Sequence, residues 1–144
     1  MVKNPFVGTW RLVSSEVRSA DGHISYPRGR NPVGYIIYSE DGYMSAVIMP
    51  ANRPKFAAET LIEGSTDEKA AAADTYLSYC GKYEVQGEKV IHRVEASLFP
   101  NWIGTALERT FQLDGNRLIL IPPPRLVNGR QQTSHLTWER VGTI

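Results

Sequence analysis

The sequence lacks several features that define common classes of protein. It has one cysteine, Cys80, among 144 residues, so an internal disulfide framework is excluded and a reducing compartment is expected. No apolar run approaches the roughly 18 residues of a membrane-spanning helix, and the first residues lack the apolar core of a secretory signal. These absences predict one cytoplasmic domain over residues 1–144 with no membrane partner.

Charge of one sign is also missing. The formal net charge is +1, and the basic and acidic residues are mixed along the chain without a basic stripe, so nucleic acid is not expected as a partner. The three histidines, His23, His92 and His135, lack the close spacing of metal ligands, and no nucleophile or phosphate-loop motif is present. Neither a metal nor a cofactor is therefore expected, while the oligomeric state stays open.

What the sequence does contain is a regular series of turn signals between strand-like runs. Asp-Gly and Asn-Gly pairs favour positive φ and tight hairpins, as at Asp41-Gly42 and Asp114-Gly115. Eight strands are predicted, near residues 9–18, 33–39, 43–49, 80–86, 89–98, 106–113, 116–122 and 132–141. Because most junctions fit hairpins, the fold class is all-β, an eight-stranded antiparallel up-and-down barrel.

Two segments interrupt this rhythm. Residues 22–32 are predicted to form a long loop beside one barrel mouth. Residues 50–79 lie between the third and fourth predicted strands, and a helix is expected from about 66 to 79, with Ser65 and Glu68 as its capping box. Ala70, Ala73 and Leu77 share one face of that helix, which should pack against the barrel or cover its mouth.

The two ends of the chain predict how the barrel closes. Gly8 and Trp10 open the first strand, and Arg140 ends the last one. If those strands pair, the guanidinium of Arg140 can lie over the Trp10 ring. These three residues are therefore assigned to barrel closure.

Several motifs together resemble a known family. They are Gly8-Thr9-Trp10-Arg11-Leu12, Gly34-Tyr35-Ile36-Ile37-Tyr38, Asp41-Gly42-Tyr43-Met44-Ser45, Tyr83-Glu84-Val85, His92-Arg93-Val94-Glu95, the stretch from Phe99 to Thr105, and Trp138-Glu139-Arg140. In this pattern the chain resembles the short lipocalin-like domain proteins of microbes. The resemblance implies a lipocalin-like barrel. Secreted lipocalins differ in their signal peptide, disulfides and a helix after the barrel, so extracellular transport is not implied.

Strand alternation places a polar row on an apolar face. Tyr83, His92 and Arg109 are predicted to project together into the lumen, with His92 opposite Arg109 or its neighbour. One interpretation is a structural network of buried polar groups. In the other, Arg109 pairs with an acidic or carbonyl oxygen of a ligand that His92 and Tyr83 orient. A catalytic version would use His92 as general acid or base and Tyr83 as a donor to an oxyanion.

Two aromatic residues complete the candidate ligand site. Tyr35 is assigned to the pocket, and Trp102, in a loop between two strands, is expected to fill or gate the barrel mouth. The leading hypothesis is the binding of a small, largely apolar molecule with a polar or acidic group in the lumen. Two alternatives stay open: a cofactor-independent cyclase or isomerase, by analogy with barrels of similar shape, and a structural or protein-binding barrel with a filled interior.

Overall fold

Antiparallel pairing closes the sheet of this protein into a barrel. The computed structural model describes residues 4–142. Its elements are β1 (Gly8–Ser19), β2 (Ile24–Ser25), β3 (Val33–Tyr38), β4 (Tyr43–Met49), α1 (Thr66–Asp74), β5 (Leu77–Gln86), β6 (Lys89–Ser97), a 3₁₀ turn (Pro100–Trp102), β7 (Ala106–Asp114), β8 (Arg117–Ile121), β9 (Arg125–Val127) and β10 (Arg130–Arg140).

The order of the strands is that of a meander. The barrel runs β1-β3-β4-β5-β6-β7-β8-β10, and β10 pairs with β1 to close it. All eight predicted strands are present, so the predicted fold class is confirmed. The two short strands β2 and β9 were not predicted. They extend the β1 and β10 edges beyond the barrel, and Asn128-Gly129 forms the turn between β9 and β10.

One end of the barrel is closed by the residues predicted to close it. Trp10 and Arg140 are register partners, and the Arg140 guanidinium carbon lies 4.2 Å from the centre of the Trp10 ring. The two terminal nitrogens of Arg140 donate to the carbonyls of Val7 and Pro5, each at 2.7 Å. A Cβ at Gly8, where φ is +133°, would lie 2.8 Å from Arg140 Nη1, so a side chain at this position would displace the guanidinium.

Aromatic rings fill the interior just above this closure. Phe6 packs edge-on against Tyr38 and Phe111, with ring centres 5.2 and 4.9 Å apart, and Tyr38 packs edge-on against Tyr83 at 4.7 Å. Trp10 donates through Nε1 to the carbonyl of Phe6 at 2.9 Å, which ties the segment before β1 to the core. We call this the closed end, and the end where β1 finishes and β5 begins the open end.

The helix is shorter than predicted and does not cover the mouth. Its capping box of Ser65 and Glu68 is present, but α1 ends at Asp74 and none of its residues is buried. The sequence from Leu77 onward joins β5 instead, because Leu77 pairs with Ile48 of β4. Arg53 links the end of α1 to the loop before it by donating to Thr75 Oγ1 and to the carbonyl of Ala72.

No helix within residues 4–142 has the length and apolar character needed to cross a membrane.

Candidate ligand site in the barrel lumen

A cavity of about 550 Å³ occupies the open half of the barrel. Most of its wall is apolar and comes from inward-facing residues of the strands and from the loops at the mouth. The lining residues are Ser15, Val17, Pro27, Arg28, Ile36, Ala46, Ile48, Leu77, Tyr79, Trp102, Leu107, Arg109, Leu120, Pro122, Pro123, Pro124, Arg125, Gln132, Ser134, Leu136 and Trp138. A volume of this size accommodates a small organic molecule.

The charges on this wall have one sign. Arg28, Arg109 and Arg125 line the cavity, whereas neither an aspartate nor a glutamate from residues 4–142 does. Arg109 donates to the carbonyl of Glu108 at 3.1 Å and has no ion-pair partner in the described part of the chain. A partly buried cation without a counter-charge favours an anionic or strongly polar oxygen as a ligand group.

Below the cavity lies a chain of three polar side chains. His92 is fully buried, with Nε2 2.7 Å from the Tyr38 hydroxyl and Nδ1 2.9 Å from the Tyr79 hydroxyl. Burial, assisted by the charge of Arg109, lowers the pKa of His92 to about 3. Burial raises the pKa of Tyr79, against a smaller lowering by Arg109, and holds that of Tyr38 well above its usual value. All three groups are therefore uncharged near pH 7.

The predicted polar row is only partly present. Tyr83 and His92 are register partners as predicted, but His92 faces Leu107, whereas Arg109 faces Val90, which precedes His92 by two residues in β6. His92 lies beneath the cavity and is not among its lining residues. The long connection through the 3₁₀ turn shifts the β6–β7 register, a shift that the sequence does not reveal.

Tyr83 lies at the closed end instead of in the lumen. Its hydroxyl donates to the carbonyl of Ser39 and accepts from Asn4 Nδ2, both at 2.9 Å. Tyr79 takes the place expected for Tyr83 beside the imidazole. Tyr79 shares the inward face of β5 with Gly81 and Tyr83. The register with β6 shifts between Cys80 and Gly81, and this position requires glycine because a Cβ at Gly81 would lie 1.9 Å from the carbonyl oxygen of Arg93.

The prediction for Tyr35 is wrong. Its side chain is 40% exposed on the outer face of β3, because Gly34, Ile36 and Tyr38 take the inward positions of that strand. Trp102 is placed at the mouth, as expected. Its ring packs edge-on against Tyr79 at 5.5 Å and against Phe99 at 5.7 Å.

Trp102 also separates the lumen from a second cavity of about 400 Å³. This second cavity lies between the 3₁₀ turn and the end of α1, and it shares Arg28, Leu77 and Trp102 with the lumen.

Arg28 and Arg125 were missed by the sequence analysis, because both belong to loop or edge segments without an alternating pattern that would orient them. The only available signal for Arg28 was its place in the loop expected beside the mouth.

The fold and the lumen define a lipocalin-like barrel, and comparison with known proteins shows the family. The chain belongs to the family described as lipocalin-like domain, whose sequence profile matches residues 7–141. A curated relative from Aspergillus oryzae (strain ATCC 42149 / RIB 40) is named 4'-hydroxy-3'-methoxypropiophenone carrier protein. It is 36% identical over 107 residues, which cover 68% of this chain and 96% of the relative. Among solved structures, a mutant of the fluorescent protein UnaG is similar with a TM-score of 0.40 and 13% identity, over 94% of this chain and 96% of that chain.

Proposed function

We propose that this protein binds and carries a small, largely apolar molecule with a polar or acidic group, held in the barrel lumen. The observation that carries this proposal is the cavity of about 550 Å³, whose wall is mostly apolar but includes Arg109 without a counter-charge. The relative named as a carrier protein supports a carrier role and a ligand of aromatic-ketone size. A filled structural barrel is disfavoured, because its interior would leave no such space.

Within this site we assign different roles to three residues. Arg109 pairs with the polar or acidic group of the ligand, since a guanidinium binds carboxylate and carbonyl oxygens with directed hydrogen bonds. Tyr79 lies on the same wall and adds its hydroxyl. Trp102, shared between the two cavities, gates the mouth.

The single free cysteine, Cys80, supports a cytoplasmic location.

Binding is favoured over catalysis by the position of the candidate acid–base groups. His92 has a pKa of about 3 and lies beneath the cavity wall, so it accepts a proton from a ligand poorly near neutral pH. Tyr83 bonds at the closed end, away from the lumen. The cyclase or isomerase alternative loses both residues on which it depended.

The proposal is tested with two dyes that share a ring system. Anilinonaphthalene sulfonate carries an anionic group, and N-phenylnaphthylamine lacks it. We expect the wild type to bind both dyes. Arg109→Leu should weaken binding of the sulfonate by at least about tenfold, because a charge-assisted hydrogen bond contributes about 1.5–3 kcal/mol. The same variant should bind the uncharged dye as well as the wild type does.

Arg93→Leu is the matched control, because Arg93 lies on the outer face of β6 in an ion pair with Glu84. This variant should bind both dyes normally. Circular dichroism must show that each variant is folded, since anilinonaphthalene sulfonate also binds loosely packed states. A folded wild type that binds neither dye would overturn the proposed function, and equal binding of the sulfonate by Arg109→Leu would remove Arg109 from the site.

A further inference from the structure

The chain Tyr38–His92–Tyr79 has a direction that the packing determines. The Tyr38 residue is 1% exposed, and its ring lies among the rings of Phe6 and Tyr83. Within residues 4–142, its hydroxyl has one hydrogen-bond partner, Nε2 of His92 at 2.7 Å. A buried donor left without a partner costs more than a free lone pair, so the Tyr38 hydroxyl must donate to Nε2.

This donation fixes the tautomer of the imidazole. A neutral imidazole has one nitrogen that donates and one that accepts. Because Nε2 accepts from Tyr38, Nδ1 of His92 carries the proton and donates to the Tyr79 oxygen at 2.9 Å. The Tyr79 hydroxyl therefore cannot donate to His92. It cannot donate to the adjacent Arg109 either, because a guanidinium has no acceptor.

We infer that His92 is a positioning residue that keeps the Tyr79 hydroxyl as a hydrogen-bond donor to the lumen, and that the site selects a ligand whose buried polar group is an acceptor oxygen of a carbonyl or carboxylate. This inference rests on the proposed function and names the ligand chemistry that the lumen recognises.

One further donor on the same wall supports this selectivity. Arg109 lines the cavity and contributes N–H groups only. The hydroxyls of Ser15 and Ser134 and the amide of Gln132 also line the cavity, but they can donate or accept and so set no preference.

The tautomer is measured first, by proton–nitrogen correlation NMR of the isotope-labelled protein without ligand. The chain has three histidines, so removal of His23 and His135 by substitution assigns the signals of His92. We expect Nδ1 of His92 at the frequency of a protonated nitrogen and Nε2 at that of an unprotonated one near pH 7. A merely structural histidine has no required tautomer, and a protonated Nε2 would overturn the inference.

Ligand selectivity is measured next, with acetylnaphthalene and its hydrocarbon isostere isopropenylnaphthalene. The ketone oxygen accepts hydrogen bonds and the isostere does not. The wild type should bind the ketone about tenfold more tightly, as one or two net hydrogen bonds allow. Tyr79→Phe should lower this preference at least about threefold, with the affinity for the hydrocarbon nearly unchanged.

Tyr83→Phe is the matched control, because it removes a hydroxyl from the same strand that bonds only at the closed end. It should keep the wild-type preference. If Tyr79→Phe weakens both ligands equally, Tyr79 acts by packing alone and the inference fails while the proposed function stands. If the wild type binds neither ligand, the proposed function fails as well, and the NMR spectrum then reports on the tautomer independently.

Discussion

The two ends of the barrel use the same kinds of residue for opposite purposes. At the closed end, the two terminal nitrogens of Arg140 donate to backbone carbonyls and its guanidinium lies over a tryptophan ring, so the group is fixed by the protein itself. At the open end, Arg109 has one backbone contact and faces a cavity. We infer from this difference that the arginine fixed by the protein stabilises the fold, whereas the arginine that faces the cavity is available to a ligand.

The tryptophans repeat this contrast. Trp10 is fully buried, and its indole nitrogen donates to the carbonyl of Phe6. Trp102 is only half-buried and packs against two rings at the mouth. One ring therefore belongs to the core of the fold, and the other forms a wall between two cavities.

The largest effect should come from exchanging these two rings for alanine. Trp10→Ala should lower the free energy of unfolding by about 4 kcal/mol, because it opens a large cavity and frees Arg140. Trp102→Ala should cost less than about 2 kcal/mol, since its site is partly open to solvent. Urea denaturation measures both, and the comparison fails if the two variants lose equal stability.

The second-largest effect should be the pH dependence of the free energy of unfolding that comes from His92, which is buried between the two ends. The pKa of His92 is about 3 in the folded protein and about 6.5 when unfolded, so the unfolded chain binds the proton first as pH falls. Stability from His92 is complete above about pH 6.5, and it decreases progressively down to about pH 3, by roughly 2 kcal/mol at pH 5.

Urea denaturation at pH 7 and pH 5, with His92→Gln as the comparison, isolates this contribution. Exposed carboxylates with lowered pKa values, such as Glu84, also reduce stability in acid, and they do so in both proteins. The wild type should therefore lose about 2 kcal/mol more than the variant. Parallel losses would mean that His92 is not held neutral in the fold.

Local sequence rules were sufficient for the closed end. Gly8, Trp10 and Arg140 lie at the ends of the first and last strands, so closure of the meander alone brings them together. Alternate residues of β7 are half-buried, as the alternation that placed Arg109 inward predicted. These features depend on residue order and on pairing of neighbours, both of which a sequence contains.

The candidate site depended on register, which the sequence does not contain. The pairing of β6 with β7 sets which residue faces Arg109, and the side chain of Tyr79 reaches His92 from a position that is not its register partner. Tyr79 was assigned to a helix because alanines and a capping box precede it, whereas pairing with β4 draws the chain into a strand from Leu77. Tertiary pairing outweighed local propensity at that point.

The smallest effect should arise at α1, which borders the open end without burying any of its residues. Ser65 accepts from the amide of Glu68, and Glu68 accepts in return from the amide of Ser65, so Ser65→Ala removes half of the capping box. Loss of such a cap costs about 1 kcal/mol of helix stability. Because α1 contributes little to the core, this loss should remain local. Hydrogen exchange of the α1 amides should accelerate about fivefold, while the urea midpoint stays unchanged. A shift of the midpoint by the full cost of the cap would show instead that α1 unfolds with the barrel, and that the open end is as cooperative as the closed one.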